Sequence, residues 1–189
     1  LKTRIHMLEV RLHGRGGQGA VTSAEIIAQA AIKQGMSAQA FPSFGPERRG
    51  APVQAFLRLS DRPIRLRSKV YKPDSVLILD PTLVESANPT AGLKEGGYIV
   101  INSNKSVEEL KKMFPGQNIV AVDATKIAKE ELGVPITNTT MLGALIRATK
   151  AVELNALEEP VRSRFGANGQ KNINAYTRAF NEAITINAG

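Results

Sequence analysis

The sequence predicts an α/β fold: a doubly wound, mostly parallel sheet with a β-hairpin insertion and C-terminal helices. Three observations predict it. A dense glycine run, Gly14-Arg15-Gly16-Gly17-Gln18-Gly19, separates an apolar-rich stretch over residues 7–13 from an alanine-rich helical pattern that begins at Ala20. Between residues 75 and 123, short apolar segments alternate with short helical patterns, as parallel strands buried on both faces require. Between these two regions, over residues 53–70, apolar and polar residues alternate on either side of a turn, which is hairpin patterning.

Taken in order, residues 7–13 read as a core strand. The glycines free the backbone to turn sharply and leave no Cβ between a ligand and the main chain. The N–H groups at the start of the following helix favour an anion. On that helix Ala20, Ala24, Ile27, Ala28 and Ala31 share a face, with Val21 and Ile32 beside it. Ser23, Gln29 and Lys33 fall off that face, and Gly35 supplies a C-terminal stop. Residues 37–41 form a short second strand ended by Pro42. The stretch Ser43-Phe44-Gly45-Pro46-Glu47-Arg48-Arg49-Gly50 is punctuated by Gly and Pro and is a loop. Val53, Ala55, Leu57 and Leu59 share one face of the next strand. After a turn at residues 60–63, Ile64, Leu66 and Val70 alternate with Arg65, Arg67 and Lys69, which predicts the returning strand of an antiparallel hairpin with a wet basic face.

The α/β pattern then resumes, with strands at 75–80, 98–102 and 118–123 and helical patterns around Val84 and over 107–114. Asp80 and Asp123 close two of these strands at the sheet edge where open α/β folds gather ligands. As single carboxylates they are read first as caps of local turns. Thr137-Asn138-Thr139-Thr140 offers caps to a helix through Met141, Leu142, Leu145 and Ile146. Leu154, Leu157, Val161 and Phe165 form a stripe that Pro160 kinks or splits. Ile173, Tyr176, Phe180 and Ile184 mark a last helix. With no repeat or linker in view, residues 7–189 are expected to form one domain. Residues 1–6, ahead of Met7, are read as an added remnant, and His6 is given no role.

Composition narrows the chemistry. The sequence has no cysteine, so neither disulfides nor thiolate-held zinc or iron–sulfur clusters can form on it. Its two histidines leave no histidine-rich metal site. No apolar run is long enough to span a bilayer and no signal pattern opens the chain, so a cytoplasmic location without membrane contact is expected. The net charge of +8 is unevenly spread: residues 1–72 hold 13 basic against 4 acidic side chains, while the remainder is close to neutral. Basicity in the part carrying the glycine loop suits a phosphate-bearing ligand or an acidic partner. With few aromatics and no recognised motif, nucleic acid is not expected as a partner.

Gly14, Gly16 and Gly19 formally match a dinucleotide fingerprint, which needs an acid about 20 residues on to hold the ribose. Here Phe41-Pro42-Ser43 stands in that place and the first carboxylate is Glu47. NAD is thereby disfavoured, while NADP remains open through Arg48 or Arg49. The other reading of the glycines is a tight turn only. Arg48 and Arg49 either clamp a phosphate or carboxylate through forked donors or form a solvated basic loop paired to Glu47. His13 either donates to a ligand or is a buried structural histidine. No Ser/His/Asp set, paired carboxylates or metal cluster is evident, so no catalytic residue and no metal ligand is assigned. The residues describe a basic α/β domain for a phosphorylated small molecule, suited to be a subunit of something larger.

Four stretches carry a resemblance: His13-Gly14-Arg15-Gly16-Gly17-Gln18-Gly19; Ala40-Phe41-Pro42-Ser43-Phe44-Gly45-Pro46-Glu47-Arg48-Arg49-Gly50-Ala51-Pro52-Val53; residues 74–80; and Asn138-Thr139-Thr140-Met141-Leu142-Gly143-Ala144-Leu145. In these, and in their order, the chain resembles the gamma subunits of the 2-oxoacid:ferredoxin oxidoreductases, most closely the pyruvate (pyruvate synthase) branch. The resemblance implies a Rossmann-like subunit of an enzyme that converts a 2-oxoacid, coenzyme A and oxidised ferredoxin to acyl-CoA, carbon dioxide and reduced ferredoxin. It implies that thiamine diphosphate and iron–sulfur clusters reside on alpha, beta and delta type partner subunits, and that this chain helps hold coenzyme A. On that basis backbone N–H groups around Arg15, Gly16, Gly17 and Gln18, up to Gly19, receive coenzyme A phosphates. Arg48 and Arg49 neutralise further charge, Arg58 assists, and Phe44 shapes the wall. Pro160 departs from the continuous helix that the resemblance implies. An NADP-linked Rossmann-type oxidoreductase and a purely structural subunit are the alternatives.

Overall fold

The computed structural model describes residues 6–43, 45–46 and 48–189. Its centre is a seven-stranded mixed sheet in the order β2-β3-β1-β4-β5-β6-β7. These strands are β1 (Leu8–Arg15), β2 (Ser37–Pro42), β3 (Pro52–Ser60), β4 (Ser75–Ile78), β5 (Tyr98–Asn102), β6 (Asn118–Val122) and β7 (Ile184–Ile186). β1, β4, β5 and β6 run parallel and form the core of the sheet. β3 is antiparallel to both β1 and β2, and β7 is antiparallel to β6.

The helices are α1 (Ala20–Lys33), α2 (Leu83–Ala87), α3 (Val107–Met113), α4 (Ala124–Leu132), α5 (Thr140–Thr149), α6 (Glu158–Phe165) and α7 (Gly169–Glu182). They cover both faces, because successive residues of the parallel strands point to opposite sides and both sets are apolar. Leu77, Val100 and Val120 join the core beneath α1, α5 and α7. Val76, Ile78, Ile99, Ile101 and Ile119 join a second core with Leu110 and Phe114 at α3. Strands apolar on both faces are what a doubly covered sheet demands.

On that second face the sheet changes character at β1 and β3. Beside Phe56, the inward residues there include Arg11, His13 and Arg58, all buried. No helix covers them. Residues 61–74 do, as an irregular strap. The Arg58 Nη2 donates to Lys69 O at 3.1 Å, Gln39 Nε2 to Leu66 O at 3.0 Å, and Arg11 to the carbonyls of Val70, Pro89 and Ala91. The expected pairing of residues 53–59 with 64–70 is therefore corrected. The hairpin is β2–β3, with Phe41 opposite Phe56 and their ring centroids 5.2 Å apart. Both edges of β3 are taken, by β1 and β2, so the alternation at 64–70 has no ladder to join. Side chains of the sheet satisfy its carbonyls instead.

Several helical details also differ from the expectation. α4 follows no helical pattern picked out in the sequence; Asp123 caps it by accepting from Lys126 N, and Gly133 ends it in the left-handed region. Ser23, placed off the buried face of α1, is fully buried and donates to Asn138 O at 3.2 Å, while Ile32 is exposed. Thr139 and Thr140 make no cap bond to α5, and their buried hydroxyls have no partner among the described residues. Pro160 does split the stripe: a 3-10 turn over Leu154–Leu157 precedes α6, and Pro160 sits in the first turn of α6, where no N–H is needed. Ile184 belongs to β7 rather than to α7.

α5 and α7 pack backbone to backbone at Gly143. A Cβ there would fall 1.9 Å from Tyr176 O and 2.8 Å from Phe180 N. We expect Gly143→Ala to force the two helices apart and to destabilise the protein by about 1–3 kcal/mol. The urea unfolding midpoint checks this, and an unchanged midpoint would show slack at the crossing.

Candidate functional site

The site grows from the end of β1. Arg15 N donates to Gln18 Oε1 at 2.7 Å and Gln18 N to Arg15 O at 2.9 Å, so the turn closes on itself. One nitrogen of each side chain points to the end of β4. Arg15 Nε and Gln18 Nε2 each donate to Asp80 Oδ2 at 3.1 Å. Asp80 Oδ1 accepts from Thr82 N and Thr82 Oγ1 at 3.0 and 2.6 Å. Arg15 also reaches Thr82 Oγ1 at 2.9 Å and Gly50 O at 3.1 Å. The crevice between the ends of β1 and β4, where a dinucleotide sits in related folds, is filled by these side chains.

Burial works against the charge on Asp80, yet the hydrogen bonds from Thr82 and Gln18 and the Arg15 charge hold its carboxyl below the usual range. His13, two residues before the turn, is 2% exposed and accepts from Arg11 Nε at 2.9 Å. Burial, then the Arg11 charge, lowers its pKa to about 3. It is a neutral structural acceptor that faces the strap, not a ligand donor.

The glycines serve the chain's own packing. A Cβ on Gly16 would lie 2.2 Å from Arg48 O, and one on Gly19 would lie 2.5 Å from Asn138 Nδ2. Gly16 donates to Ala51 O at 2.8 Å and accepts from Gly50 N at 3.1 Å, forming a bridge beside Arg49. Gly17 and Gly19 have φ of 88° and 79°, the left-handed region that other residues avoid. The N–H groups of Arg15, Gly16 and Gln18 are thus used internally, so donors for an anion shift onto the first turn of α1.

That turn has no side-chain cap and no acidic residue. It opens onto a cleft of about 620 Å³. Gly19–Thr22 form one wall, Pro42, Ser43, Gly45, Pro46, Pro52, Val53 and Gln54 the other, and Lys69 enters from the strap. Arg48 and Arg49 are exposed next to it, on the loop pressed against Gly16, but do not line it. Phe44 and its neighbour Glu47 lie outside the described residues. Arg58 is not brought to the cleft. It is 1% exposed, donates to Glu9 Oε2 at 2.9 Å, Gln39 Oε1 at 3.4 Å and Lys69 O at 3.1 Å, and lies 5.6 Å from the Phe41 ring centroid.

A second cleft of about 590 Å³ lies at the ends of β5 and β6. There Lys105, Lys126 and Lys129 are offset by Asp123 and Glu130, and Asn102 is engaged by Leu79 O, Thr125 and Ala124 N. Among the described residues no group of three His, Cys, Asp or Glu side chains could hold a metal ion. None of their helices is long and apolar enough to cross a membrane. Sequence patterning missed the closing of the crevice by Asp80, the Ser23–Asn138 tie and the place of Lys69. Only the strand-end position of Asp80 hinted at any of them.

Residues 9–185 match the family described as pyruvate ferredoxin/flavodoxin oxidoreductase. The chain is similar to the pyruvate/ketoisovalerate oxidoreductases common subunit gamma of Thermococcus kodakarensis, with 53% identity over 182 residues that cover 94% of this chain and 98% of the relative. A solved pyruvate oxidoreductase subunit from Thermotoga maritima superposes with a TM-score of 0.84 at 37% identity, covering 95% of this chain and 98% of that one. A 2-oxoglutarate:ferredoxin oxidoreductase from Magnetococcus marinus shares the fold, with a TM-score of 0.73 and 23% identity, over 94% of this chain and 30% of that one.

Asp80 makes the site sensitive to acid. Its folded pKa is lowered, so its contribution to stability is complete above the ordinary carboxylate range and is lost as pH falls through the lowered value. We expect Asp80→Asn to cost about 1–2 kcal/mol at neutral pH, through weakened charge-assisted hydrogen bonds, and to flatten the fall in stability below pH ~4. Urea titrations at several pH values test it; parallel pH profiles for both proteins would rule out the linkage.

Proposed function

The chain belongs to the pyruvate ferredoxin/flavodoxin oxidoreductase family, as a gamma subunit of a 2-oxoacid:ferredoxin oxidoreductase, and from that premise we propose that its cleft at the start of α1 holds coenzyme A. The observation that carries the proposal is the uncapped, acid-free first turn of α1 opening into a cleft beside the Arg48-Arg49 loop. Helix-start N–H groups and nearby guanidinium groups suit a phosphorylated ligand.

In this reading the complex turns a 2-oxoacid (pyruvate first), coenzyme A and oxidised ferredoxin into acyl-CoA, carbon dioxide and reduced ferredoxin, in the cytoplasm. Thiamine diphosphate and iron–sulfur clusters, on alpha, beta and delta type subunits, supply decarboxylation and electron transfer. This chain has no cysteine to hold a cluster, so the electron path through the clusters does not run on it. Its own residues orient the cofactor: the first turn of α1 receives phosphate, Arg48 and Arg49 neutralise what projects beyond the cleft, and the thiol is left to reach the partner's site. Positioning of this kind lowers the entropic part of the barrier.

Two further facts support it. The relative from Thermococcus kodakarensis is described as common to pyruvate and ketoisovalerate oxidoreductases. A subunit shared by enzymes that differ in their 2-oxoacid suits a reactant both reactions share, and coenzyme A is one. The Magnetococcus marinus enzyme was solved with coenzyme A and succinyl-CoA bound. The NADP reading has less support, because Arg15, Gln18 and Asp80 fill the β1–β4 crevice.

The test uses the reconstituted complex. Gln54 lines the cleft, and Gln54→Glu adds a negative charge there with almost no change of shape. We expect its KM for coenzyme A to rise about fivefold, as ~1 kcal/mol of like-charge repulsion implies, with the KM for pyruvate unchanged. Joint Arg48→Ala and Arg49→Ala substitution should raise it about two- to fivefold, as exposed charges do. Unaltered coenzyme A kinetics in both variants would overturn the proposal.

A further inference from the structure

The cleft contains one charge that the contacts above leave out. Among the described residues lining it, Lys69 alone is ionised. We propose that Lys69 is the cation that fixes a phosphate of coenzyme A in this cleft, an assignment that rests on the cleft being the coenzyme A site.

Four observations converge on it. Lys69 is half-buried and makes no ion pair or side-chain hydrogen bond among the described residues. Its main chain is pinned from beneath: Arg58 holds Lys69 O, Arg11 holds Val70 O and Gln39 holds Leu66 O. The side chain is therefore delivered to the cleft from a fixed base, and less backbone entropy is lost on binding. Facing it across the cleft is the uncapped turn at Gly19–Thr22. Among the described residues lining the cleft none is a carboxylate, so nothing there opposes a phosphate. Arg58 then has a role after all, but an indirect one. It is a positioning residue, sealed from the ligand, that sets the strap carrying Lys69.

The experiment measures steady-state kinetics of the reconstituted complex carrying Lys69→Met, which keeps the apolar stem and removes the charge. Coenzyme A and pantetheine, the thiol portion without phosphates, are compared as acyl acceptors. We expect the KM for coenzyme A to rise about tenfold or more, the loss typical of a charge-assisted hydrogen bond. The KM for pyruvate and the kinetics with pantetheine should be unchanged. Lys69→Arg should restore most of the affinity, and Lys72→Met, an exposed change on the same strap, should have no effect. An equal penalty with both thiols would overturn the phosphate contact. If Lys69→Met is silent while Gln54→Glu raises the KM for coenzyme A, Lys69 has no such role and the cleft remains the site. If both are silent, both assignments fall.

Discussion

One carboxylate at the end of β4 governs how the site is assembled. Asp80 accepts from Arg15, from Gln18 and twice from Thr82. Arg15, held in this way, reaches across to Gly50 O, and Gly50 N returns to Gly16 O. The position of the arginine loop relative to α1 is therefore set from the opposite side of β1. The same contacts occupy the crevice where doubly wound sheets commonly take a nucleotide. A ligand is left the other flank of the helix start, between α1 and the β2–β3 hairpin.

The charge of the first 72 residues acquires a different meaning in the fold. Much of it has internal work. Arg11 and Arg58 are buried on the sheet face, where they take the place of a covering helix by collecting carbonyls of the strap and of Pro89 and Ala91. Only Arg58 has a carboxylate partner, Glu9; Arg11 is satisfied by carbonyl dipoles and by the neutral ring of His13. Arg15 is taken up by Asp80. The field available to an anion thus comes from fewer side chains than a tally suggests, and their placement matters more than their number.

The sequence reveals the parallel core clearly, because strands buried on both faces leave an unbroken apolar record, as at Val76–Ile78 and Ile99–Ile101. The turn from β1 into α1 is equally plain from its glycines. What patterning cannot show is which edge a strand finds. Residues 64–70 alternate like a strand, yet β3 has no free edge for them. α4 escapes notice because its buried face is only Ala124, Ile127 and Ala128. At the site, the glycine loop and the arginine loop are legible as loops. Their contact is not, since it runs through main-chain atoms of Gly16, Arg48, Gly50 and Ala51 that no side-chain pattern encodes. Lys69 looks like Arg65 and Arg67 in sequence, and only the pinned strap separates it from them.

The last strand has a bearing on synthesis. β7 is three residues long and pairs with β6 from more than sixty residues downstream. Until residues 184–186 have been made, Ile119, Val120 and Ala121 form the rim of an apolar sheet with unpaired N–H and C=O groups, a template for joining another chain. α7 also arrives late, so α5 is uncovered during the same interval. A nascent chain is thus open to mispairing until residues 184–186 emerge, and the short strand closes that rim when it docks.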